Sequence, residues 1–256
     1  MRIAIADGCL VRSSGPASGA ALWFVHGFAD SGLAFREVLE SHLSDGFGLY
    51  APDLPGFGAS PPRDDIRTLD RSTDTFLRLI ETLSPGRPVG LIGHSAGAIT
   101  AVEAAHRLGD RCCGVVSIEG NMTADDAYFS GRAAEFDDPS AFKAMLTDLV
   151  WQRSVDDPVL RRYYASLLMA NAPSMWALGR DVGRYSVGEN PGVRYQALSV
   201  PTLYCWSPAT TPEATVRFIR TNGVANRELG SVSPWPMLDA TDEVVAALRE
   251  FFAQAG

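Results

Sequence analysis

Apolar residues along the first half of the chain follow two alternating rhythms. Short runs at 21–25, 48–51, 89–92 and 112–118 are apolar almost throughout, the pattern of strands covered on both faces. Between them, 31–43, 69–83 and 96–108 carry apolar residues at helical spacing. In 69–83 that face is Phe76, Leu79, Ile80 and Leu83; in 31–43 Leu33, Val38 and Leu39 share one, with Phe35 and Leu43 beside it. Residues 2–6 and 9–13 flank Asp7-Gly8 and read as an opening hairpin. Strand–helix–strand repetition predicts a parallel sheet with helices on both faces. After Glu119 the rhythm changes. Residues 121–196 carry helical patterns interrupted at Pro139, Pro158, Pro173 and Pro191. Sheet rhythm returns at 201–206 and 227–232, and 242–252 closes the chain as a helix. The expectation is one α/β core, 1–120 and 197–256, interrupted by a helical cap at 121–196. Insertions at the carboxyl edge of such a sheet lie over the ligand crevice.

The 256 residues, 46% of them hydrophobic, are enough for a large core and far from the composition of a disordered chain. A formal charge of −8 opposes binding to phosphate backbones, so nucleic acid is not an expected partner. Lys143 is the single lysine among many arginines, the usage of a GC-rich bacterial genome. Cys9, Cys112, Cys113 and Cys205 lack CxxC spacing and read as buried, reduced thiols. The opening residues have no charged stretch followed by an apolar one, and the longest apolar run, near 19–25, is under half a membrane span. These features predict a soluble, cytoplasmic protein with a small-molecule substrate and no membrane contact; its oligomeric state stays open. Neither a metal-ligand cluster nor a phosphate loop is evident, and Pro55-Gly56-Phe57-Gly58 lacks the third glycine of a dinucleotide fingerprint. No cofactor is expected.

Chemistry enters at Gly93-His94-Ser95-Ala96-Gly97. This G-x-S-x-G follows an apolar strand and opens a helix, the context of a nucleophile elbow. The glycines permit a tight turn that lifts Ser95 above the strand end, and the helix N-terminus behind it favours negative charge. Upstream stand His26-Gly27-Phe28 and the turn from Asp53 to Ser60, D-L-P-G-F-G-A-S; downstream stand Pro201-Thr202-Leu203 and Trp235-Pro236-Met237-Leu238. In these motifs, spread over essentially its whole length, the chain resembles the α/β-hydrolase superfamily. The resemblance implies an oxyanion hole made by the backbone N–H groups of Phe28 and Ala96.

The pattern breaks at the base and at the acid. In the family a histidine directly precedes a stretch such as Trp-Pro-Met-Leu; here Pro234 fills that slot, and no histidine follows His106. The usual acid position, after the late strand, reads Trp206-Ser-Pro-Ala-Thr-Thr and offers no carboxylate. Glu119, at the end of the sixth strand, stands where family members such as haloalkane dehalogenases take their acid; its alternative role is to pin a loop. Without an imidazole partner a buried Glu119 should have a raised pKa. His94 is expected to pack away from the pocket, His26 to shape the oxyanion loop close to it, and His42 and His106 to face solvent. Asp30, Asp125, Asp126 and Tyr128 sit in loops, either at the surface or near the pocket. Trp151, Tyr163, Tyr164, Met169 and Trp176 either pack the cap or line an apolar cleft beneath it.

The candidate catalytic residues are therefore Ser95 and Glu119, with His26, Asp30, Tyr128, Trp151 and Trp235 as candidate pocket residues. Losing the histidine of a working triad costs about 10⁶ in turnover, so an ordinary esterase is not the expectation. Three readings remain. Ser95 is a nucleophile activated by another group or by the substrate; or the same pocket performs proton transfer beside a carbonyl, as an isomerase, cyclase or lyase does; or the chain binds a ligand without catalysis.

Overall fold

The computed structural model describes residues 1–188 and 191–254. The strands are β1 Arg2–Ala6, β2 Cys9–Ser14, β3 Ala21–Val25, β4 Gly48–Pro52, β5 Val89–His94, β6 Cys112–Ile118, β7 Thr202–Trp206 and β8 Asn226–Glu228. They form one sheet of order β1-β2-β4-β3-β5-β6-β7-β8, antiparallel at β1-β2 and β2-β4 and parallel from β4 onward. The opening hairpin turns at Asp7 and Gly8, both with positive φ (44° and 75°), as a tight two-residue turn requires. β3, β4 and β5 are buried along their entire length, which is why their sequences are continuous apolar runs.

Helices α1 Arg36–Leu39, α2 Leu69–Leu83 and α3 Gly97–Leu108 lie in the first half, and α2 coincides with the predicted element. The single helix expected over 31–43 does not form. A 3₁₀ turn at Gly32–Phe35, the four-residue α1 and a second 3₁₀ turn at His42–Asp45 replace it. Two contacts explain the break. The Gly32 amide is held by Asp53 Oδ1 at 2.8 Å, and the extended Ser41 accepts from Leu43 N to start a new turn.

Between β6 and β7 run α4 Pro139–Arg153, α5 Pro158–Met169, α6 Ala172–Gly188 and α7 Pro191–Gln196. The prolines that interrupt the apolar pattern mark helix starts. Asp138 and Asp157 cap α4 and α5, each accepting from two backbone amides, with proline in the first turn where its missing N–H is harmless. α8 Glu213–Thr221, α9 Pro236–Asp239 and α10 Thr241–Gln254 complete the chain. The strand expected over 227–232 stops at Glu228. Beyond it, Gly230 N donates to Glu243, and the amides of Val232 and Ser233 donate to the Asp239 carboxylate, so side chains take the bonds a neighbouring strand would have made. Among the described residues, no helix is long and apolar enough to cross a membrane.

Asp53 ties the early turns together. Its buried carboxylate accepts from Arg12 Nη1 at 2.5 Å and from the amides of Gly32 and Ala59 at 2.8 Å each. Asp53→Ala strands a buried guanidinium and two amides, and unfolding by denaturant should show a loss of about 3–5 kcal/mol. A change below 1 kcal/mol would contradict this account of the turn.

Candidate active site

β5 delivers Ser95 at its carboxyl end with φ 49°, and α3 begins two residues later. Ser95 N donates to Ile118 O on β6 at 3.1 Å, while its carbonyl accepts from Ala98 N and Asn121 N. Only glycine fits at either side of the turn. A Cβ on Gly93 would lie 2.4 Å from Ala98 Cα, and one on Gly97 would lie 2.5 Å from the carbonyl oxygens of Val25 and His26. Among the described residues the non-glycine positions with positive φ are Asp7, Ala29, Ser95 and Glu119. Asp7 belongs to the hairpin. The other three stand in the loop after β3, at the Ser95 turn and at the end of β6, so backbone strain gathers where the chemistry is expected.

Phe28, Asp30, Ser95, Glu119, Tyr128 and Trp235 border one small cavity, together with Gly27, His94, Asp126, Phe129, Ser130, Tyr163 and Pro234. Its volume is about 20 Å³; a water needs about 10–15 Å³. Among the described residues, neither the Phe28 amide nor the Ala96 amide has a backbone acceptor. The Phe28 peptide is held from behind, where its carbonyl accepts from Tyr163 Oη at 3.1 Å.

Glu119 is fixed by the loop after β7. Its Oε1 accepts from Ser207 N at 2.6 Å and Thr211 Oγ1 at 3.0 Å, and its Oε2 lies 3.1 Å from the same hydroxyl. Burial pushes its carboxyl up to about 7, although these donors oppose the shift. Asp126 shares the cavity and is also shifted up by burial; its Oδ2 accepts from Met122 N, Thr123 N and Thr215 Oγ1. The polar residues at 207 and 211 occupy the stretch whose lack of a carboxylate read as a loss. They are the partners of Glu119 just past the end of β6, a role visible only once β6 and β7 pair.

Several expectations need correction. His94 does not pack away: its ring borders the cavity, and Nε2 donates to the Pro234 carbonyl at 2.7 Å. That bond leaves Nδ1 unprotonated, buried and, among the described residues, without a partner, while burial lowers the imidazole pKa and keeps it neutral. His26 does not border the Ser95 cavity; it lines a separate small cavity together with Phe28 and Ala96. Its Nε2 accepts from Leu54 N, so Nδ1 donates to Gly27 O, and both nitrogens are spent on loop structure outside the Ser95 cavity. Trp151 is 53% exposed and packs on Tyr164. Phe142, Leu146 and Val150 form the buried stripe of α4, and the next residue turns about 100° away from it. His106 is half-buried against Arg194 O rather than facing solvent. Asp30 and Trp235 do reach the cavity and are joined, Trp235 Nε1 donating to Asp30 Oδ2 at 3.0 Å.

The alpha/beta hydrolase fold family matches this chain over residues 20–153. The chain belongs to that family. The bifunctional biotin biosynthesis protein BioHC of Cellvibrio japonicus is 33% identical over 152 residues, which are 54% of this chain and 28% of that protein. The 2-(acetamidomethylene)succinate hydrolase of Mesorhizobium japonicum is 32% identical over 143 residues, 53% of this chain and 50% of that enzyme. The match thus spans half or less of these relatives' lengths. Among solved α/β-hydrolase folds, an AqdC variant bound to the Pseudomonas quinolone signal, whose ring it cleaves, superimposes with a TM-score of 0.80 over 99% of both chains at 18% identity. The enol-lactonase of Burkholderia xenovorans LB400 gives 0.77 over 98% of this chain and 100% of its own, also at 18% identity. At these identities the likeness is one of fold.

Proposed function

We propose that this chain is a hydrolase-type enzyme for a carbonyl-containing small molecule, an ester, thioester, lactone or amide, with residues 121–196 as the cap over its site. The observation that carries the reading is the strained Ser95 turn in one cavity with a carboxyl whose pKa is about 7. Ser95 Oγ attacks the carbonyl carbon while its proton passes to the Glu119 carboxylate, directly or through one water. The Phe28 and Ala96 amides hold the resulting alkoxide, and such a donor is worth about 10²–10³ in rate. Collapse expels the leaving group with the proton from Glu119, and water then releases the acyl group by the same path. Hydrolases among the curated relatives and lactone-cleaving enzymes among the similar folds support this class. Intact-mass analysis after treatment with a fluorophosphonate tests it directly.

Pro234 in the histidine slot favours a second reading. There Glu119 removes a proton beside the substrate carbonyl, Ser95 donates only a hydrogen bond, and no acyl-enzyme forms. The two diverge on Pro234→His. If Ser95 is a nucleophile short of a base, an imidazole there should raise aryl-ester hydrolysis by up to about 10²-fold, the low end of what a positioned general base contributes. Unchanged hydrolysis in a folded Pro234→His that is also unlabelled by the probe favours the second.

A further inference from the structure

A second and larger cavity, about 320 Å³, lies against the Ser95 cavity and shares Asp30, Tyr163 and Trp235 with it as a common wall. Its outer rim carries Leu33 and Met169, 43% and 64% exposed, with the exposed Ala165 beside them, and Ala34 and Leu238 continue the apolar lining inward. The charged side chains at its edge are already paired, Arg12 with Asp53 and Arg162 with Glu37. Asp30 on the common wall is a carboxylate that accepts from Ser31 N and Trp235 Nε1. A carboxylate there repels an anionic ligand, and no free guanidinium invites one. The occupant these walls fit is neutral and apolar. The volume is at the small end for ligand pockets, suited to one or two aromatic rings or a medium alkyl chain.

The inner compartment has space for about one water and cannot hold an acyl group as it stands. The wall it shares with the outer cavity is Asp30, Tyr163 and Trp235, the Trp235 indole being bonded to Asp30 and lying with its centroid 4.8 Å from the Tyr163 ring. Pro234 precedes this tryptophan, and its carbonyl is fixed by His94, so movement falls to the indole rather than to the backbone. We propose that the outer cavity is an antechamber that seats the neutral aryl or alkyl part of the substrate, and that the Trp235 side chain is the gate between it and Ser95. When the indole swings off Asp30 the two cavities join, and the carbonyl reaches Ser95 while the apolar part stays behind. This deepens the hydrolase reading and rests on it for the gate's purpose, but its test needs no turnover.

The probe is N-phenyl-1-naphthylamine, a neutral aromatic dye that fluoresces when it leaves water. Titrated into the full chain, it should bind the wild type saturably. Ala165→Trp fills the antechamber and should weaken binding at least tenfold, whereas Ala165→Ser, a size control, should bind as the wild type does. Met169→Glu, a change at an exposed rim position, should also weaken it and covers the case in which Ala165→Trp fails to fold. Trp235→Phe keeps a ring but removes the N–H that latches the gate, and should tighten binding about tenfold by joining the compartments. Wild-type affinity in folded Ala165→Trp, or in Met169→Glu where that variant does not fold, overturns the antechamber. Wild-type affinity in Trp235→Phe overturns the gate. A Ser95 that resists the fluorophosphonate leaves every one of these binding outcomes in force, so failure of the hydrolase reading is distinguishable from failure of this one.

Discussion

Ser95→Ala abolishes labelling by a fluorophosphonate and lowers ester turnover by about 10³-fold or more. Intact mass is the measurement: one adduct on the wild type, none on the variant. On the proposed mechanism the fall is smaller than the ~10⁶ seen when the serine of an intact triad is removed, because Ser95 has Glu119 rather than a triad histidine as its base. If the Phe28 and Ala96 amides form the proposed oxyanion hole, a residue of catalysis should survive in them, because they would polarise a bound carbonyl whether or not Ser95 attacks. Folding should be untouched by loss of one hydroxyl, but the φ of 49° at this position keeps its strain in the alanine variant, so a thermal melt belongs beside the assay. An unlabelled wild type together with full native activity in Ser95→Ala would remove the nucleophile role and leave proton transfer as the chemistry.

The elbow was legible because it is local. Five residues between an apolar strand and a helix specify a turn that only Gly93 and Gly97 allow, and the steric contacts there are with the next turn of chain and the neighbouring strand. The hairpin at Asp7-Gly8 and the helix over 69–83 were legible for the same reason. Long-range bonds account for what the sequence hid. The helix over 31–43 is cut by an Asp53 carboxylate from another strand end. Glu119 meets Ser207 and Thr211, 88 and 92 residues away, only through the pairing of β6 with β7. His94 joins the cavity because the backbone of Pro234, 140 residues on, supplies its acceptor. Between β6 and β7, periodicity marks a buried stripe without saying what it faces. Sequence therefore offers Trp151 as a candidate pocket residue and not Tyr163, although Trp151 lies outside and Tyr163 borders the site.

Glu119→Gln should move stability and activity in opposite directions. The folded carboxyl titrates at about 7 against an ordinary value of 4.5, with burial as the leading cause. The folded state therefore binds the proton more tightly than the unfolded chain does. Its contribution is present in full below pH 4.5, is lost as pH rises through 7, and beyond that the buried carboxylate costs the fold on the order of 3 kcal/mol. Glutamine is neutral throughout and still offers an oxygen to Ser207 N, so the variant should match the wild type near pH 4 and exceed it by up to about 3 kcal/mol at pH 8. Under the proposed mechanism, catalysis needs the form that stability disfavours. Only ionised Glu119 accepts a proton, so wild-type kcat/KM should rise through pH 7, and Glu119→Gln should lose about 10²–10⁴-fold with that rise abolished. The combination separates a base from a loop pin. A glutamate that merely anchors the turn after β7 would be replaced by glutamine with its hydrogen bonds kept, leaving turnover and its pH profile as they were. Wild-type turnover in a folded, alkaline-stabilised Glu119→Gln would end the case for Glu119 as the proton acceptor and pass that role to the remaining unpaired base of the cavity, Nδ1 of His94.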